Sequence, residues 1–107
     1  RQEVVYAQSL TVPGISLDET VYQAGYPVPQ AVKMDIEGGE VLALPGMRRL
    51  LQEAHPLMLL ELHGPESSQV ADQILRDTGY RLYSMAPGYP EVKAGEALDW
   101  KAYLIAR

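Results

Sequence analysis

Two segments of this chain carry the residue types that proton transfer needs. The first is Val32-Lys33-Met34-Asp35-Ile36-Glu37-Gly38-Gly39-Glu40, the second Leu59-Leu60-Glu61-Leu62-His63-Gly64. Each is a short apolar run that ends in acidic residues and then glycine. Carboxylates crowded at a partly dry rim raise one another's pKa, which suits them to general-base work on a hydroxyl or amine. An imidazole titrates near neutrality, so His63 joins Asp35, Glu37 and Glu61 as a candidate catalytic group. The same four residues are acceptable oxygen and nitrogen ligands for a divalent ion. No HxH or HExxH spacing sharpens that possibility, and no metal ligand is assigned from the sequence.

Strand geometry is what would bring the four together. Apolar runs of this length, bounded by Gly and Pro, read as buried parallel strands over residues 31–36 and 57–62. Side chains alternate along a strand, so Lys33, Asp35 and Glu37 share one side of the first. Leu57, Leu59, Glu61 and His63 share one side of the second. Residues two apart are separated by ~6.6 Å and neighbouring strands by ~4.8 Å. A parallel pairing would therefore gather the polar groups at the carboxyl ends of the strands, where open α/β sheets bind ligands.

Purely structural roles compete with this reading. Asp35 can pair with Lys33 or cap the following turn. Glu37 and Glu40 lie near a helix N-terminus, which favours negative charge by ~0.3–1 kcal/mol. Glu61 and His63 can simply hydrogen-bond to each other. Gly38-Gly39 fits a tight strand-to-helix turn better than a phosphate loop. His55 lies at a helix C-terminus and is given no function. The phenols of Tyr83, Tyr89 and Tyr103 read as amphipathic packing groups.

The surrounding elements follow from periodicity and punctuation. Residues 3–10 alternate loosely and read as a strand. Ser16-Leu17-Asp18-Glu19 is a capping box for a helix that ends at Gly25. A helix over residues 40–54 is interrupted by Pro45-Gly46, with a short turn first and a restart near Pro45. Ser67 or Ser68 caps a further helix that Gly79 closes. Residues 80–85 form a strand, 86–99 a loop, and 100–106 a last strand with Trp100, Ala102, Leu104 and Ala106 on one side. Strict alternation of strands and helices predicts an α/β fold: a mostly parallel Rossmann-like sheet with helices on both faces. The last two strands have no helix between them and are expected as an antiparallel hairpin at one edge.

Bulk properties narrow the function. The 107 residues make one domain, 47% hydrophobic and able to bury a core. The net charge of -5 gives no electrostatic case for nucleic acid or anionic membrane. No apolar run approaches the ~18–20 residues needed to cross a bilayer. The absence of cysteine excludes disulfides and thiolate metal sites and fits a reducing, cytoplasmic compartment. The chain opens on Arg1 rather than Met and shows no leader pattern, which suggests a piece of something longer.

At these residues the chain resembles the FkbM-type methyltransferases, whose members use S-adenosylmethionine. The matching text is Ser16-Leu17-Asp18-Glu19, the block from Val32 to Glu40, Leu44-Pro45-Gly46, the run Pro56-Leu57-Met58-Leu59-Leu60-Glu61-Leu62-His63, and Thr78-Gly79-Tyr80. The resemblance covers the family's C-terminal half and implies a Rossmann-like sheet with a final antiparallel strand. It places Asp35 beside the cofactor's methionine end, and Glu37, Glu61 and His63 around the acceptor. It implies methyl transfer to an oxygen of a small molecule or sugar. The Gly-rich cofactor loop of that family has no counterpart here, since no G-x-G occurs. Two other functions stay open on the residues: a non-catalytic association module and a metal-dependent hydrolase on the acidic rim. A half-sheet would also leave the strand at residues 31–36 with an open edge suited to self-association.

Overall fold

A computed structural model describes residues 13–96 and 101–107, without the side chain of Lys101. The strand expected over residues 3–10 lies outside these. Five strands form one sheet: β1 (Ala31–Met34), β2 (Leu57–His63), β3 (Leu82–Ser84), β4 (Glu91–Val92) and β5 (Lys101–Ala106). Their spatial order is β1-β2-β5-β3-β4. Three α-helices accompany them: α1 (Glu40–Ala43), α2 (Arg48–Glu53) and α3 (Pro65–Asp77). A 3-10 turn at Leu44–Met47 joins α1 to α2, and a wide π-type turn occupies Glu19–Gln23.

The α/β class holds, but the sheet is not mostly parallel. Among the described residues only β1 and β2 pair in parallel; β2 with β5, β5 with β3, and β3 with β4 are antiparallel. The reason lies in where the last strand goes. Helical crossovers deliver β1, β2 and β3 running in one direction. Strand β5 then inserts between β2 and β3 instead of lying at an edge, so both contacts across it are antiparallel. The stretch expected to be a plain loop contributes β4, a two-residue partner for β3.

Among the described residues the helices pack on one face of the sheet. Met58, Leu60 and Leu62 of β2 and Ala102, Leu104 and Ala106 of β5 are buried in one core cluster with Leu44, Met47, Leu50, Leu51, Ile74 and Leu75 from the helical segments. Each fully buried leucine contributes roughly 1.5–3 kcal/mol, well above the 0–1 kcal/mol of a surface ion pair. This one face therefore carries the fold. The other face bears Leu57, Leu59, Glu61, His63, Tyr103 and Ile105, all part-exposed or exposed. Among the described residues no helix packs on it, and β1 is paired on one side only.

Local chemistry sets the helix ends. Ser16 Oγ accepts the Glu19 N–H at 3.1 Å, the first leg of a capping box, and donates to Glu19 Oε1 at 3.0 Å, so the return contact runs to the serine hydroxyl. Asp18 reaches across the fold: its two oxygens accept the N–H groups of Arg49 and Leu50 at the start of α2, at 3.0 and 2.8 Å. Pro45 sits early in the 3-10 turn, where its missing N–H costs nothing. A methyl on Gly46 would come within 2.9 Å of Ser16 Cβ, so only glycine allows these two segments to touch. Helix α3 begins at Pro65, earlier than its serines suggest, and Ser67 and Ser68 lie buried inside it. Among the described residues no helix is long and apolar enough to cross a membrane.

Candidate functional site

The parallel register of β1 on β2 builds the site. Lys33 lies opposite Leu59 and Met34 opposite Leu60. Continuing that register sets Asp35, the next residue after β1, beside Glu61. His63 follows two residues on, on the same face of β2. One ligand atom from each of Asp35, Glu61 and His63 lies within 4.8 Å of the others. His63 Nε2 is 3.1 Å from Asp35 Oδ1, with the imidazole 15% and the carboxylate 36% exposed. Three of the four sequence candidates thus converge at the carboxyl ends of two parallel strands.

Glu37 does not join them. The Gly39 N–H donates to the Ile36 carbonyl at 3.0 Å, closing a tight turn over Glu37 and Gly38. Both central residues have positive φ, 53° and 94°, the type I′ pattern. The strand ends at Met34, so the two-residue alternation that grouped Glu37 with Asp35 no longer applies. Glu37 is exposed on the turn. Gly38 adopts its φ without strain, whereas Glu37 carries the cost of a left-handed backbone. Gly39 packs close: a Cβ there would lie 3.2 Å from the Ile36 carbonyl oxygen.

The neighbouring wall of the open face forms a cavity of about 440 Å³ lined by Lys33, Leu59, Leu60, Glu61, Met85 and Tyr103. Its walls are mainly apolar, with an ammonium, a carboxylate and a phenol to orient a polar ligand. Tyr103 is 47% exposed.

One acid read from the sequence as a favourable charge near a helix N-terminus is also buried, which that reading does not anticipate. Glu40, at the start of α1, is fully buried. Its Oε2 accepts a long hydrogen bond from Ser67 Oγ at 3.5 Å, while Glu40 Oε1 and Ser68 Oγ are buried with no hydrogen-bond partner. The Glu40–Ser67 contact joins the first turns of α1 and α3. These two turns directly follow the segments that carry Asp35 and His63. A helical stripe of Glu40, Leu44, Met47 and Leu51 was the available signal, since all four share one buried face.

His55 lies at the opposite end of β2. Its ring stacks on Tyr80 at 3.8 Å between centroids, with 19° between planes. Tyr80 donates its O–H to the Pro56 carbonyl at 2.5 Å, and burial pushes the phenol up to about 12.

The fold is an open, mostly antiparallel α/β sheet with ionisable groups clustered at the carboxyl ends of its two parallel-paired strands. Comparison with known sequences sharpens that class: the methyltransferase FkbM domain matches residues 2–82. The chain belongs to the FkbM methyltransferase family. It is similar to the hexuronic acid methyltransferase AglP of Haloferax volcanii, 40% identical over 55 residues. That match covers 51% of this chain and 23% of the relative, so the chain spans about a quarter of that protein's length. No solved structure matches.

Proposed function

We propose that this chain supplies the acceptor-side rim of an S-adenosylmethionine-dependent enzyme that methylates a hydroxyl of a sugar or similar small molecule. The observation that carries the reading is the Asp35–Glu61–His63 cluster, with its 3.1 Å Asp35–His63 contact, in a chain of this family. In methyl transfer the acceptor oxygen attacks the methyl carbon as the carbon–sulfur bond breaks. The sulfonium becomes a neutral thioether, and the hydroxyl proton must leave. The protein's work is to align the partners and to take that proton. With His63 Nε2 donating to Asp35, Nδ1 keeps the lone pair that receives it, and Asp35 steadies the imidazolium formed. Glu61 orients the acceptor in the adjoining cavity, beside Lys33 and the Tyr103 ring. Asp35 also faces the cofactor's methionine end, and Glu37 stands at the outer margin of the acceptor site. A sugar acid is the acceptor we favour, because the relative is named for a hexuronic acid and Lys33 offers a partner for a sugar carboxylate.

The test is transfer of a labelled methyl group to hexuronic acids and hexosides, by the chain alone and in its full reading frame. The expected result is transfer that falls by ~10²–10⁴-fold in His63→Ala while cofactor affinity is kept. Failure of both forms to bind the cofactor, even at millimolar concentration, would refute the proposal and favour a non-catalytic association module.

A further inference from the structure

We infer that Asp35, Glu61 and His63 form a binding site for a divalent cation. The inference rests on the reading of this cluster as the functional site, and adds a ligand to it: with the ion bound, His63 Nε2 gives up its hydrogen bond to Asp35 and turns its lone pair to the metal. Three features of the cluster suit a cation.

The donor set is mixed, two carboxylates and one imidazole, which suits magnesium, manganese or a later first-row ion. The spacing is right as well. Metal–oxygen distances of ~2.1 Å place adjacent donors of a six-coordinate ion ~3.0 Å apart and opposite donors ~4.2 Å apart. Here His63 Nε2 and Asp35 Oδ1 are 3.1 Å apart, and all three donors fall within 4.8 Å. Small rotations about the side-chain bonds close the remaining gap.

The third feature is how the donors are held. Glu61 and His63 belong to β2 and Asp35 directly follows β1, and the register of these two strands is fixed by buried residues on the opposite face. Such a site exists before the ion arrives, so little ordering entropy is lost on binding. Three protein ligands leave about half of a six-coordinate shell open. The open side adjoins the cavity bounded by Glu61 and Tyr103, where the acceptor is placed. A cation there withdraws electron density from a bound hydroxyl and makes its proton easier to lose. Two adjacent hydroxyls of a sugar ring would fill two of the remaining positions.

The two histidines of the chain provide an internal control. Manganese is titrated into the chain, without cofactor or acceptor, while the imidazole signals are followed by NMR. Broadening of the His63 ring ahead of His55 is expected, because β2 separates them by roughly 20 Å or more. Displacement by excess magnesium should reverse it. Electron paramagnetic resonance should give one site per chain, weakened at least tenfold in Glu61→Gln and in Asp35→Asn. Equal broadening of both rings, or manganese affinity unchanged in the folded variants, would overturn the inference. Binding is read without turnover, so a cation site can stand if methyl transfer fails. Transfer insensitive to chelators, with no localised manganese, would leave the enzyme reading intact and remove the metal.

Discussion

Asp18 offers the cleanest test of how this fold is fastened. Its two carboxylate oxygens accept the Arg49 and Leu50 N–H groups across 31 and 32 residues of sequence. Helix α2 has only six residues, and Met47 ahead of it provides no side-chain cap. The first N–H groups of a helix have no internal partners. Removing a capping side chain costs ~0.5–2 kcal/mol, and bonds to a charged acceptor lie at the strong end. The Leu50 bond is part-buried, so its N–H would not be fully rescued by water. Asp18→Ala should therefore cost about 2 kcal/mol, and Asp18→Asn, which keeps one acceptor oxygen, about half that. For 107 residues, an unfolding entropy of ~2.1 cal/mol/K per residue converts 2 kcal/mol into a fall in Tm of roughly 9 °C. Thermal unfolding of the purified chain gives the stability. Amide exchange at Arg49 and Leu50 gives the location. A loss under ~0.5 kcal/mol with unchanged protection of both amides would refute the cap.

Gly46→Ala should destabilise the chain by about 1–3 kcal/mol in chemical denaturation, because its new methyl meets Ser16 Cβ at 2.9 Å. Adding Ser16→Gly should recover part of the loss; no recovery would mean the strain lies elsewhere. Tyr80 predicts an alkaline effect. Its folded-state value of about 12 lies above the ordinary 10, so folding favours the neutral phenol. That contribution is complete below about pH 10 and is lost as pH rises through about 12. Stability measured across this window should fall more steeply in the native chain than in Tyr80→Phe, and parallel profiles would contradict the assignment.

Periodicity read locally was dependable wherever one face of an element met the core. Residues 57–62 were legible as an apolar run bounded by proline and glycine, and Ala102, Leu104 and Ala106 as an alternation that burial in β5 follows. The break at Pro45-Gly46 was legible because proline and glycine each exclude backbone states. Position in the sheet was not legible. Nothing in residues 100–106 specifies that β5 enters between β2 and β3, since an apolar strand fits an edge or an interior slot equally well by pattern. Strand β4 is two residues long and too short for any periodic signal. The early start of α3 was hidden by the serines, which are good caps but here lie buried within the helix, Ser67 against Glu40.

The site follows the same division, and the register explains why. Asp35 lies one residue past the end of β1, so the spacing of the strand still governs where it points. Glu61 and His63 belong to β2 itself, and their alternation is fixed by Leu60 and Leu62 on the core side. Glu37 lies beyond the point where the chain turns, and its position is set by a I′ turn rather than by strand pleating. A sequence pattern therefore locates a functional group as far as the regular element extends. Past that point turn chemistry takes over. A one-residue slip of β1 on β2 would send Asp35 to the helical face and break the cluster. Buried Met34, Met58, Leu60 and Leu62 oppose such a slip, since it would move apolar side chains out of the core. The hydrophobic residues of the covered face thus hold the polar residues of the open face in register. The chemistry of the rim depends on the packing behind it.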